Sequence, residues 1–137
     1  MTRTGSAVWN GNLKDGKGTV STPSGVLDHS QYSFKTRFED GGGTNPEELL
    51  AAAHAGCFSM ALSNTLGGHG ITAEKIETTA ALTMENLTIT KVHLTVVATI
   101  PGADAEAFQK AATEAKEGCP VSRLFKAEIT MDAKLNA

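Results

Sequence analysis

Along this chain the spacing of apolar residues changes several times, and each change marks an element. From Leu49 to Leu62 the apolar run is broken only by His54 and Ser59, with Gly56 removing bulk beside Cys57. A surface helix carries one apolar stripe, so a helix apolar around its whole circumference predicts a central element covered on several sides. Its start is well marked: Thr44 or Asn45 as the cap, Pro46 at the first helical position, Glu47 and Glu48 in the first turn. The glycines of "GGHG", Gly67 to Gly70, predict its end.

The first forty residues read as short strands and turns. "SAVW" is one strand, a second surrounds Thr19 after the glycines of "GNLKDGKGTV", and "TPSGVLD" is turn chemistry. "YSFKTRF" alternates, with Tyr32, Phe34, Thr36 and Phe38 on one face and Ser33, Lys35 and Arg37 on the other, which predicts a third strand. "EDGGG" predicts a loop. Beyond the long helix, strands are expected over 74–84 and 88–100, the second with Val92, Leu94, Val96, Ala98 and Ile100 on one face. A second helix runs from Asp104 as cap to Gly118 as stop, with Phe108, Ala111, Ala112 and Ala115 as its buried stripe. A last strand alternates Phe125, Ala127, Ile129, Met131, Ala133 and Leu135 inward.

Three strands, helix, two strands, helix, strand predicts an α+β fold with a mostly antiparallel sheet of about six strands. One such sheet covers one side of a buried helix. A second copy of the chain is the simplest second cover, so a homodimer is expected with the cysteine helices near its centre.

At 137 residues the chain has room for one domain. A net charge of −3, with no stripe of Lys or Arg, argues against nucleic acid as a partner. No apolar run reaches about 18 residues, so no membrane span is expected. "MTRTGSAVWNGN" lacks the apolar core of a signal peptide and points to the cytoplasm, where a standing disulfide is improbable. The two cysteines are then catalytic, redox-active, or buried small side chains. With no CxxC, no HExxH, no GxxxxGK[ST] and scattered histidines, neither metal nor cofactor is expected.

A free thiol titrates near 8.5 and burial raises that value, so a reactive Cys57 needs a cation brought to it. His54, one turn earlier, is one candidate; Arg123 and Arg37 are the others. Glu47 suits as the carboxylate that would offset the cost of burying Arg37. Ten residues of helix, about 15 Å of rise, separate Glu47 from Cys57. The two cannot meet at one small site within a chain, so Glu47 would reach Cys57 from another subunit. Cys119 follows a glycine stop and precedes Pro120, a favourable first residue for a short helix, and a thiol there would feel the helix's positive end. Plainer explanations stand beside these: a small buried hydrophobe for Cys57, a packing histidine, a solvated arginine, an ordinary first-turn acid and a loop cysteine.

The stretches "GKGTVSTPSGVL", "YSFKTRFED", "GTNPEELLAAAHAGCFSMALS" and "GCPVSRLFKAEITMDAKL" closely resemble, in order and over essentially the whole chain, the osmotically inducible protein C (OsmC) family. That family is related to the organic hydroperoxide resistance proteins. The resemblance implies a thiol-dependent peroxidase acting on organic hydroperoxides, hydrogen peroxide less well, in an intertwined homodimer with sites at the subunit interface. By motif, Cys57 is implied as the peroxidatic cysteine, Cys119 as the resolving one, and Arg37 with Glu47 as the activating pair. It also implies a dithiol reductant, with lipoylated proteins as candidate donors. Phe58, Met60 and Leu49 are the expected apolar surroundings favouring alkyl peroxides. Two alternatives remain at this level: a thioesterase-like hydrolase with Glu47 or Glu48 as base, and a non-enzymatic stress or binding protein with inert cysteines.

Overall fold

The computed structural model describes residues 1–39 and 41–137; Asp40, in the expected "EDGGG" loop, lies outside the described residues. The chain divides into two compact units, Met1–Leu49 and Leu50–Ala137.

In the first unit, β1 (Ser6–Asn10), β2 (Lys17–Ser21) and β3 (Ser30–Tyr32) form an antiparallel sheet in that order. Gly18 lies beneath the rings of Trp9 and Tyr32, where a Cβ would come within 2.6 Å of both. Only glycine lets this aromatic pair close over the sheet. The strand expected over "YSFKTRF" ends at Tyr32, and a helix, α1 (Phe34–Phe38), takes its place. Ser33 is the reason. Its hydroxyl accepts the Thr36 N–H at 3.2 Å while the Thr36 hydroxyl accepts the Ser33 N–H at 2.7 Å, a reciprocal cap that nucleates a turn. Phe34 and Phe38 then sit one turn apart with ring centroids at 4.8 Å, so they do not share a strand face with Tyr32.

Helix α2 (Pro46–Gly68) starts as expected, with Asn45 as the cap: its side-chain oxygen accepts the Glu48 N–H at 2.7 Å. Its buried stripe, His54, Phe58, Leu62 and Leu66, has a spacing of four, and all four side chains are fully buried. Its other side differs from the expectation. Ala52, Ala53 and Gly56 are exposed and Met60 is 78% exposed, because one sheet and one helix cover only one side of α2 within the chain. By length and composition α2 could also cross a membrane, which the count of uninterrupted apolar residues did not reveal. Its stripe packs instead into a protein core that includes Val92, Leu94 and Val96.

The second unit completes that core with β4 (Lys75–Glu85), β5 (Thr88–Thr99), α3 (Ala105–Gly118), α4 (Pro120–Leu124) and β6 (Glu128–Asn136). β4 and β5 form a hairpin through Asn86 and Leu87, both at positive φ, the backbone of a tight two-residue turn. The expected faces of β5 and α3 are the buried ones. β6, however, pairs parallel to β5. α3 is a crossover between them, and a strand returning after a crossover helix lies parallel. In place of one sheet of about six strands there are two three-stranded sheets, within the expected α+β class.

Candidate active site

Cys119 occupies the junction of two helices. Its N–H donates to Ala115 O at 2.9 Å, closing α3, and Pro120 directly after it opens α4. Cys119 is fully buried, and Cys57 on α2 is half-buried. The Cys119 S–H donates to Cys57 Sγ at 2.9 Å. That is well beyond a disulfide bond of about 2.0 Å, and both thiols are free. Residues 62 apart in sequence are thus in sulfur-to-sulfur contact.

Burial first, then the contact with Cys119, push the Cys57 thiol above the ordinary range, and an N–H from Val121 pulls the other way. Val121 is in the first turn of α4. Although Cys57 is in mid-helix, it therefore receives a backbone donor from the start of another helix, which its own helix could not supply. Sequence position alone did not show this.

His54 is fully buried, its ring nitrogen Nε2 lies 2.7 Å from Ser122 Oγ, and its ring centroid is 5.5 Å from that of Phe125. Burial lowers its pKa, so it is neutral near pH 7 and supplies no cation to Cys57. Arg123 is exposed on the last turn of α4. Phe58 is fully buried in the core, and Met60 is exposed within the single chain.

In the first unit, Arg37 closes α1 and its Nε donates to Glu47 Oε1 at 2.8 Å. The second carboxylate oxygen of Glu47 is buried without a hydrogen-bond partner among the described residues. The guanidinium lies 5.3 Å from the Phe38 ring centre. It borders a cavity of about 270 Å³ whose other walls include Trp9, Leu13, Tyr32, Phe34 and Phe38. Nothing in the strand reading of "YSFKTRF" picked out this cavity. Three aromatic residues within seven positions around an arginine were the available signal. The four candidate residues thus form two pairs: Cys57 with Cys119 in one unit, Arg37 with Glu47 in the other. Among the described residues, no three His, Cys, Asp or Glu side chains gather as a metal site would require.

Comparison with known proteins identifies the family. The family described as OsmC-like protein matches residues 39–134, which include both thiols and Glu47. The chain belongs to the OsmC-like family. It is 52% identical to Peroxiredoxin OsmC of Escherichia coli strain K12, over 97% of this chain and 96% of that protein. It is 30% identical to the organic hydroperoxide resistance protein OhrB of Bacillus subtilis, over 86% of this chain and 88% of that one. The crystal structure of OhrB superposes with a TM-score of 0.64 at 26% identity, covering 96% of this chain and 97% of that one. Its OsmC-like relatives thus share the α+β fold as well as the sequence.

Proposed function

We propose that this chain is a thiol peroxidase that reduces organic hydroperoxides to alcohols, with Cys57 as the attacking sulfur and Cys119 as the resolving one. The observation that carries the reading is the 2.9 Å contact between two free thiols on separate helices. The printed names of the relatives, a peroxiredoxin and an organic hydroperoxide resistance protein, agree with it.

The chemistry follows from the sulfur pair. The Cys57 thiolate attacks the hydroxyl oxygen of ROOH; the O–O bond breaks, Cys57 becomes a sulfenic acid, and the departing alkoxide takes up a proton, balancing the one the thiol released, to leave as ROH. The Cys119 thiol then attacks that sulfur: the S–S bond forms, the S–O bond breaks, and the hydroxyl departs as water with the thiol proton. An external dithiol exchanges with the disulfide and returns both thiols. The first step needs thiolate, which the environment of Cys57 within one chain disfavours. In our reading Arg37, oriented by Glu47, comes to Cys57 from a second copy of the chain. The guanidinium stabilises the thiolate and polarises the peroxide. The exposed apolar side of α2 is the surface that the second copy covers, and the reducing cytoplasm is the compartment that keeps the pair as thiols.

The test is a titration. Reduced protein mixed with one equivalent of tert-butyl hydroperoxide should lose both thiols and acquire an internal Cys57–Cys119 link by mass. Cys57→Ser should abolish peroxide turnover. Retention of both thiols in the native protein overturns the reading.

A further inference from the structure

Each thiol has a polar neighbour three residues away on its own segment. His54 precedes Cys57 by three on α2, and Ser122 follows Cys119 by three in the chain, on α4. These neighbours bond to each other at 2.7 Å, beside sulfurs 2.9 Å apart. The two contacts tie together the same two segments, and the mechanism above uses only one of them.

The segment that needs a tie is α4. It has five residues, about one turn, and one turn of helix does not stand alone in water. Among the described residues no side chain caps its N-terminus, since Cys119 offers sulfur where Ser or Asp would offer oxygen. Pro120 and Arg123 are exposed and Leu124 is 70% exposed, so one side of the turn faces water. What holds the other side is Val121 against the core and Ser122, which is 7% exposed, against fully buried His54. Among the described residues His54 Nδ1 is buried with no partner, so the ring has a single hydrogen bond there, and that bond goes to α4. A buried imidazole with one polar contact depends on that contact for its position.

We propose that the His54–Ser122 hydrogen bond is the positioning contact that keeps α4 docked and thereby holds Cys119 within attack distance of Cys57. It sets the rate of disulfide closure against over-oxidation. The proposal rests on the peroxidase reading for its kinetic consequence and on the geometry alone for the docking itself. Two reactions compete for the Cys57 sulfenate. Attack by the Cys119 thiol gives the disulfide and water; attack by the sulfenate on a second ROOH gives the sulfinate and ROH. A longer or less frequent Cys57–Cys119 approach slows only the first. His54 and Ser122 are positioning residues, because neither touches peroxide.

The experiment separates the two steps. Ser122→Ala removes the hydroxyl, and Ser122→Thr restores one. With tert-butyl hydroperoxide, the rate of sulfenic acid formation, measured with Cys119→Ser as background, should fall less than the closure rate does, because undocking α4 withdraws only the Val121 N–H from Cys57 and leaves the sulfur itself in place. Disulfide closure with Cys119 present should slow about tenfold, the effect of losing one buried hydrogen bond. Sulfinic Cys57 at excess peroxide should rise in parallel, and Ser122→Thr should recover most of the closure rate. Should Ser122→Ala not fold, His54→Phe breaks the same bond while filling the space beside Phe125. The double variant should be no worse than either single one.

A second arm does not use peroxide. In a glutathione redox buffer, the effective concentration of one thiol toward the other should fall about tenfold on loss of the bond. A fall in this arm with no peroxide consumption by the native protein would leave the docking proposal standing and remove the peroxidase reading. Equal closure rates and equal effective concentrations in a folded variant overturn the proposal.

Discussion

Joining the two thiols should change stability by an amount that the chain itself sets. Cys57 and Cys119 are 62 residues apart, so a bond between them removes the loop-closure entropy of a long segment from the unfolded chain. The chain-entropy relation gives about 4 kcal/mol at 25 °C for a loop of that length. At about 2 cal/mol/K per residue, unfolding of a chain of this size carries an entropy near 290 cal/mol/K, so the midpoint should rise by about 15 °C. The full amount is expected only if the native structure accepts the bond without distortion; with the sulfurs at 2.9 Å, closure needs an approach of about 1 Å. The assay is a pair of thermal melts, one on reduced protein and one after a single equivalent of hydroperoxide, followed by circular dichroism. Cys119→Ser, given the same treatment, is the control that should not shift. An oxidised form that melts no higher than the reduced one would refute the reasoning. Either the bond would join other partners, or closing it would strain the α2–α4 junction by as much as the loop contributes.

Other predictions test separate parts of the structure. Arg37→Ala, with Cys119→Ser to isolate one thiol, should move Cys57 alkylation to higher pH and slow it about tenfold at pH 7, the effect of removing a close opposite charge; an unchanged profile would exclude Arg37 as the cation. His54 is buried neutral with a lowered pKa, so the unfolded chain binds its proton more readily than the folded one. Its contribution to stability is therefore complete above the ordinary value of about 6.5 and falls as pH drops below it. Urea midpoints at pH 7.5 and 5 should differ less for His54→Phe than for the native protein, and equal differences would contradict this. Phe58→Ala, at a fully buried core position, should cost about 3 to 5 kcal/mol by denaturant unfolding. A loss under about 1 kcal/mol would mean that Phe58 does not anchor the core.

What the sequence made legible, and what it hid, follows from the range of the interactions involved. α2 and α3 were readable because caps, stops and apolar stripes are local, and the structure keeps Asn45, Asp104 and the Phe108–Ala115 stripe where local rules put them. α1 was misread although its cause is equally local. Alternation over seven residues suggested a strand, but Ser33 and Thr36 can cap each other at a spacing of three, and that bond decided the backbone. The parallel β5–β6 pair was legible in principle from the helix between the strands. The contacts of the site were of another kind. Val121 at the Cys57 sulfur and Ser122 at His54 each join residues more than sixty positions apart, and no periodicity encodes such a meeting. The two cysteines stood out in the sequence itself and family resemblance implied their roles, whereas Ser122 emerged only from coordinates.

The proposed dimer can be pressed further with the dimensions of α2 alone. Its exposed side carries apolar residues that the chain leaves uncovered, and Glu47 and Cys57 are about 15 Å apart along its axis. For Glu47 of one copy to lie level with Cys57 of an antiparallel second copy, the two helices must cross midway between those positions, at residue 52. The residues there are Ala51, Ala52 and Ala53, with Gly56 one turn on. Small side chains at a crossing allow helix axes to approach to about 8 Å, the close end of the usual range. The same positions lie outside the buried stripe of His54, Phe58, Leu62 and Leu66, so changing them leaves the fold of the single chain intact. Ala52→Trp should therefore keep the reduced chain folded, halve its mass in sedimentation, and carry Cys57 alkylation to higher pH as Arg37→Ala does. A variant that remains dimeric with native alkylation would place the crossing elsewhere and separate Glu47 from the partner's thiol.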